Sequence, residues 1–263
     1  MQKTMDVFQK RKLTYTAVFL AALAIFAGSS LVTQFNAVQG LASFPAAIGW
    51  IAENLIPDQT ALERLPKILD KLLETALLSV AVTVVAAVFA FFFSLLGSNI
   101  TKINGIVKRV VRIVAGFFRN VPDGGWAMLL MFSFGQNILT GFFALFFTTF
   151  GLLTRAFIET IDEVSASCVE ALEATGANFL KVVFQGVIPS SLSGITTWVL
   201  YMIETNIRSS TLIGILTATG IGYLFDLYYK RLDFSSASLV VLSIVVLVLV
   251  IETASNKIRK VIL

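Results

Sequence analysis

Histidine is missing from all 263 residues, and Cys168 is the only cysteine. The first absence removes the commonest general base and metal ligand at neutral pH. The second excludes an internal disulfide and any CxxC motif. No G-x-x-x-x-G-K-[ST] occurs, so no P-loop is present to cradle a nucleotide. Charge is scarce as well: Asp, Glu, Lys and Arg supply 14% of the chain, against about 25% in a soluble domain. The formal charge of +4 needs no nucleic acid to explain it, because the basic residues gather where a membrane protein places them on its inner side. No catalytic residue and no metal site is expected.

What fills the chain is apolar. Hydrophobic residues make up 57% of it, and 23 positions are Phe. A membrane-spanning helix needs about 20 apolar residues at 1.5 Å each. Candidates are residues 15–35 (YTAVFLAALAIFAGSSLVTQF) and 75–98. A third runs from near Arg119 and a fourth up to Thr154, separated by the GQN at 135–137. A fifth starts at Pro189 and a sixth covers 236–251. The expected fold is an all-α integral membrane protein of about six transmembrane helices. The basic residues before the first span resemble the start of a signal peptide, yet the apolar run is too long for one and no A-x-A site follows, so an uncleaved anchor is expected.

Lys and Arg near the span ends set orientation. Lys3, Lys10, Arg11 and Lys12 precede the first span, Lys102, Lys108, Arg109, Arg112 and Arg119 follow the second, and Lys257, Arg259 and Lys260 close the chain. Fewer basic residues fall on the opposite side, at 64–71 and 230–231. Both termini of this multi-pass protein are therefore expected in the cytoplasm. Residues 37–71, with Pro45, Pro57 and Pro66, read as an external connection on the membrane surface, and 217–234 as a segment that bends back near the outer face. These readings divide the chain into 1–72, an anchor with its external connection, and 73–263, a core domain.

One stretch interrupts the apolar pattern: EALEATGANFLKVVFQGVIPSS, from Glu170 to Ser191. Residues 158–175 are compatible with one helix. Gly176 is the natural left-handed residue to end it, Asn178 can cap a second helix with Phe179, Val182 and Val183 on its apolar side, and Pro189 suits the first turn of the next span. The product is a helix–turn–helix between two spans, too polar for the bilayer and too apolar on one face to stay bare in water.

In this stretch Glu170, Ala171, Gly176, Ile188 and Pro189 resemble the EAA loop (E-A-A-x3-G-x9-I-x-L-P) of ABC-importer permeases; Leu172 replaces the second Ala and Gly186 an Ile. RNVPDGGWAML at 119–129 resembles the R-x-x-P/N-E/D start of a core permease helix. EATGANFLKVVFQGVIP and ETNIRSSTLIGILTATGIG (204–222) are similar to segments of phosphonate-uptake permeases, although TATGIG departs from the usual GAGGIG. The resemblance implies the type I (MetI-like) importer fold. It also implies a coupling loop at 158–189 in which Glu170, Ala171, Gly176, Ala177, Phe179 and Pro189 meet a cytoplasmic ABC ATPase dimer. Further partners so implied are an extracytoplasmic substrate-binding protein, a second permease subunit, identical or related, and the lipid bilayer. No cofactor is expected on this chain; ATP and Mg2+ belong to the ATPase. The cargo would be phosphonate or a related phosphorus oxyanion.

The fifth span carries the polar residues that fit such cargo. Charges at membrane depth are costly unless paired or facing water. Glu204 and Arg208 are four apart and share a helix face, as Arg119 and Asp123 would on one helix. Each pair reads either as a structural ion pair or as part of a translocation pathway or gate with Asn206 and Ser209. Asn206 projects about 200° from Glu204 and needs a polar partner of its own. An ion-coupled secondary transporter using Glu204 or Asp123, an ABC permease for another small solute, and a regulatory membrane subunit remain as alternatives.

Overall fold

The computed structural model describes residues 7–101, 103–164 and 166–262; Lys3 and Lys102 of the basic pattern lie outside them. The chain divides into two compact units, the first ending at Asn54. That unit contains α1 (Val7–Thr33), α2 (Ala37–Ala42) and α3 (Phe44–Asn54). Asn36 starts α2, its side chain accepting from the Gln39 N–H at 3.0 Å.

The second unit, from Leu55 onward, opens with α4 (Gln59–Glu63), whose N-terminal N–H of Ala61 is capped by Asp58 at 2.7 Å. Then comes α5 (Leu65–Gly97), with proline in its first turn, where the missing N–H has no helical partner to lose. This helix runs unbroken through the expected domain edge at 72/73. Its buried positions, Ile68, Leu72, Thr75, Ser79, Val82, Ala86 and Ala90, recur every three or four residues and face the bundle.

Next follow α6 (Gly105–Asn120), α7 (Asp123–Phe134) and α8 (Ile138–Val164). The expected third span is not one helix. The backbone turns extended at Val121 and Pro122, splitting α6 from α7. Proline at 122 removes a helical N–H and disfavours the α conformation at Val121. With 12 residues, α7 is only about 18 Å long. Five helices among the described residues, rather than six, are long and apolar enough to cross a membrane: Val7–Thr33, Leu65–Gly97, Ile138–Val164, Phe179–Thr217 and Phe234–Val261.

At the centre, α8 packs on α5, α6 and α7. Its seam with α6 is very close: a Cβ on Gly151 would lie 2.6 Å from the Arg119 nitrogen and 2.7 Å from the Ala115 carbonyl oxygen. Aromatic side chains fill the middle, with Phe118 stacked on Phe147 at 4.9 Å and Phe93 edge-on to Phe150 at 5.1 Å.

The chain then forms α9 (Ala166–Ala174), α10 (Phe179–Lys181), a π-helical turn (Val182–Val187) and α11 (Ile188–Thr217). After α11, Ala218 and Gly220 adopt positive φ (55° and 59°), and α12 (Gly220–Lys230) folds back along α11. The crossing is tight enough that a Cβ on Gly222 would fall on the Thr211 carbonyl oxygen. The last helix is α13 (Phe234–Ile262). Arg64 fastens this end, pairing with Asp233, donating to Ser236 at 2.8 Å, and lying 5.1 Å above the Tyr228 ring.

Candidate functional site

The polar stretch folds into two helical pieces around a defined turn. The N–H of Ala177 donates to the Leu172 carbonyl at 3.2 Å, and that of Gly176 to Glu173 at 2.9 Å. With Gly176 at φ +77°, these two bonds make a Schellman motif, whose usual apolar contact is supplied by Leu172 and Ala177 on a common cluster. Asn178 accepts from the Lys181 N–H at 3.0 Å and starts the second piece. Pro189 sits in the first turn of α11.

The π turn was not foreseen. Its Gly186 lies against α9, where a Cβ would come 2.9 Å from Leu172 Cδ1 and 3.5 Å from Cys168 Sγ. The hairpin is anchored by Val169, Val182 and Val187 packed with Ile161 of α8 and with Leu95 and Ile100. Its outer side stays bare: Glu170 and Ala171 are exposed, and so are Phe179, Leu180 and Phe184, the last at 65%. A rigid turn therefore presents three large apolar side chains flanked by Glu170, Glu173 and Lys181.

Deeper in the bundle, Asn206 is buried and finds its partners on two other helices. Its side-chain amide donates to Thr83 of α5 at 2.8 Å and to Thr149 of α8 at 2.9 Å. One turn along, Ser210 and Ser79 hydroxyls meet at 2.6 Å, and Thr75 accepts from the Ile221 N–H at 2.9 Å. This polar seam joins α5, α8, α11 and the start of α12. Buried polar groups must be paired, and these are.

On another face of α11, Glu204 pairs with Arg208. Glu204 is largely covered while the Arg208 side chain is 54% exposed. Both partners belong to one helix, so the pair fastens nothing to a neighbour. Ser209 is half-buried beside it. Arg119 and Asp123 are separated by the α6–α7 break and form no ion pair among the described residues. Asp123 instead occupies the first turn of α7, where a carboxylate complements the helix dipole.

A second polar centre escaped sequence reasoning. The Asp162 carboxylate accepts from the Ser98 hydroxyl at 2.5 Å, the Asn99 N–H at 2.7 Å, the Asn99 amide at 2.6 Å and Arg112 at 3.1 Å. Arg112 also donates to the Gly97 carbonyl at 3.0 Å. The C-terminal ends of α5 and α8 are thereby tied to the middle of α6 beneath the hairpin.

Comparison with known proteins bears on this arrangement. Residues 90–262 match the family described as "Binding-protein-dependent transport system inner membrane component". HtxC of Stutzerimonas stutzeri, named for a phosphite transport system permease, is 27% identical over 98% of this chain and 90% of its own length. The phosphate-import permease protein PhnE of Mycolicibacterium smegmatis is 28% identical over 72% of this chain and 36% of its own. The fold is similar to a chain of the MetNI methionine ABC transporter in an inward-facing conformation, at TM-score 0.66 and 19% identity over 78% of this chain and 99% of that one. A chain of an amino acid ABC transporter is equally similar, at TM-score 0.66 and 14% identity over 76% and 96%.

Proposed function

Because the chain belongs to the binding-protein-dependent transport system inner membrane components, we propose that it is the permease subunit of an ATP-driven importer for a phosphorus oxyanion: phosphonate, phosphite or phosphate. The observation that carries the mechanism is the hairpin at 166–187. A turn fixed by two backbone bonds and a cap presents exposed Phe179, Leu180 and Phe184 next to charged residues, which suits insertion into the groove of a separate ATPase. Glu170, Ala171, Gly176, Ala177 and Pro189 shape that surface. ATP and Mg2+ act on the ATPase, and this chain performs no covalent chemistry.

In this reading two permease subunits, two ATPases and an extracytoplasmic binding protein form the working assembly. The hairpin and both chain termini lie in the cytoplasm. Closure of the ATPases pushes the hairpin, and Phe179–Thr217, continuous from the hairpin to the polar seam, carries the displacement into the bundle. The binding protein then releases its anion toward Arg208, Glu204 and Ser209, with Arg119 and Asp123 at the break between α6 and α7, while Asn206 holds the helices behind that face together. The cargo class is supported by relatives named for phosphite transport and phosphate import.

The test is purification in mild detergent followed by uptake of phosphate, phosphite and methylphosphonate into vesicles. Copurifying ATPase, and uptake abolished by ATP depletion but insensitive to an uncoupler, is the expected result. Uptake abolished by the uncoupler with ATP present would overturn it in favour of ion coupling.

A further inference from the structure

Apart from Arg119, the basic side chains of α6 form a face that the mechanism above does not use. Lys108, Arg109, Arg112 and Arg119 fall within about 100° of the helix circumference, and α6 contains no acidic residue. Beside this face lies an exposed apolar one, Ile106, Val110, Ile113 and Phe117, and beyond it the buried side with Val111 and Ala115. Such a helix has separate sides for lipid, for protein and for water. The charged side cannot face lipid without large cost.

Where this basic face meets α8 there is a cleft of about 170 Å³ lined by Arg112, Ala115, Gly116, Arg155, Ile158 and Glu159. Arg155 spends its Nε on Glu159 at 2.8 Å. Arg112 spends its Nε on Gly97 and one Nη on Asp162. The other nitrogens of both guanidinium groups have no acceptor among the described residues, so each keeps donors to offer. The floor is open: a Cβ built on Gly116 meets nothing within 4 Å. The cleft lies at the hairpin end of the bundle, next to the Asp162 centre.

We propose that this cleft is an exit site for the translocated anion: a way-station, one turn or two from the cytoplasmic mouth, that holds a singly or doubly charged phosphorus oxyanion between Arg112 and Arg155. The inference rests on the transport reading and on its orientation. Guanidinium donors match such oxyanions in geometry, and the ion pairs of Arg155 with Glu159 and of Arg112 with Asp162 offset part of the positive charge an anion would meet. The same chemistry would recognise the headgroup of an anionic phospholipid, and the experiment separates the two.

Gly116 gives a test by charge rather than by deletion, since the space for a side chain exists. The complete assembly, with its ATPase and binding protein, is reconstituted with Gly116→Glu or with the size-matched Gly116→Gln. Uptake of phosphate, phosphite and methylphosphonate is measured per assembled transporter, ATPase retention serving as the check on folding. Uptake at least about fivefold lower for Glu than for Gln, in vesicles of pure phosphatidylcholine, is the expected outcome. Equal rates for the two variants, whether both high or both low, overturn the exit site while leaving transport itself standing. A difference that emerges only when phosphatidylglycerol is present assigns the cleft to lipid and also overturns it. Wild-type protein that takes up none of the three probes removes the transport reading and the exit site with it.

Discussion

Arg208 and Glu204 pose the question of function at the scale of single side chains. Their pairing is within one turn of α11, and Arg208 is more than half exposed. A pair that exists to lock two helices together would reach across, as Asn206 does to Thr83 and Thr149. The expected outcome is that Glu204→Gln combined with Arg208→Gln assembles normally with the ATPase yet loses uptake about tenfold or more, on the order of 1.4 kcal/mol in transition-state terms. Recovery of uptake in the double variant would show the two charges to be only each other's partners. The Asn206 partners were illegible from sequence because they stand 123 and 57 residues away. Asp162 was missed for the same reason: the donors to its carboxylate are 50 to 64 residues distant, and nothing in the local string distinguishes it from a surface carboxylate.

Among the elements, local chemistry was the readable part. Gly176, Asn178 and Pro189 each constrain the backbone within four residues, and the turn they specify is the one observed. The break at Val121–Pro122 was equally local, but the run of uncharged residues that follows masked it and suggested a full span. Close helix crossings were unreadable, since a glycine in a long apolar run looks alike whether it faces lipid or a neighbour. Gly151 is the sharpest case. Any Cβ there meets the backbone of α6, which cannot rotate aside as a side chain can. Gly151→Val should therefore displace α6 from α8 and prevent assembly, measured as loss of a monodisperse peak in detergent. Overpacking of this kind costs about 1–3 kcal/mol and often more. A monodisperse, active Gly151→Val protein would refute the close seam.

For the molecule as a whole, orientation in the bilayer decides which side the hairpin meets. Cys168 reports on it directly, being the sole thiol. Its sulfur faces Gly186 across the hairpin and is only part-exposed. A membrane-impermeant maleimide should miss it in intact cells, label it in inverted vesicles, and do so more slowly with the ATPase bound. Rapid labelling from outside would reverse the orientation.

The π turn at Val182–Val187 bears on how the hairpin and the bundle are geared. A π turn houses one residue more than an α turn would at the same place. Side chains before it are thus offset by about 100° from where the wheel of α11 would put them. The face that looks into the bundle and the face that looks toward a docking partner are set independently, although one continuous rod connects them. Axial thrust passes along that rod, whereas its angular phase is fixed by a single inserted residue. Converting 182–187 to a regular α turn at unchanged length would leave the rod's thrust intact and turn Phe179 and Leu180 about 100° away from their present heading, whereas deleting one residue with the same conversion would restore that heading.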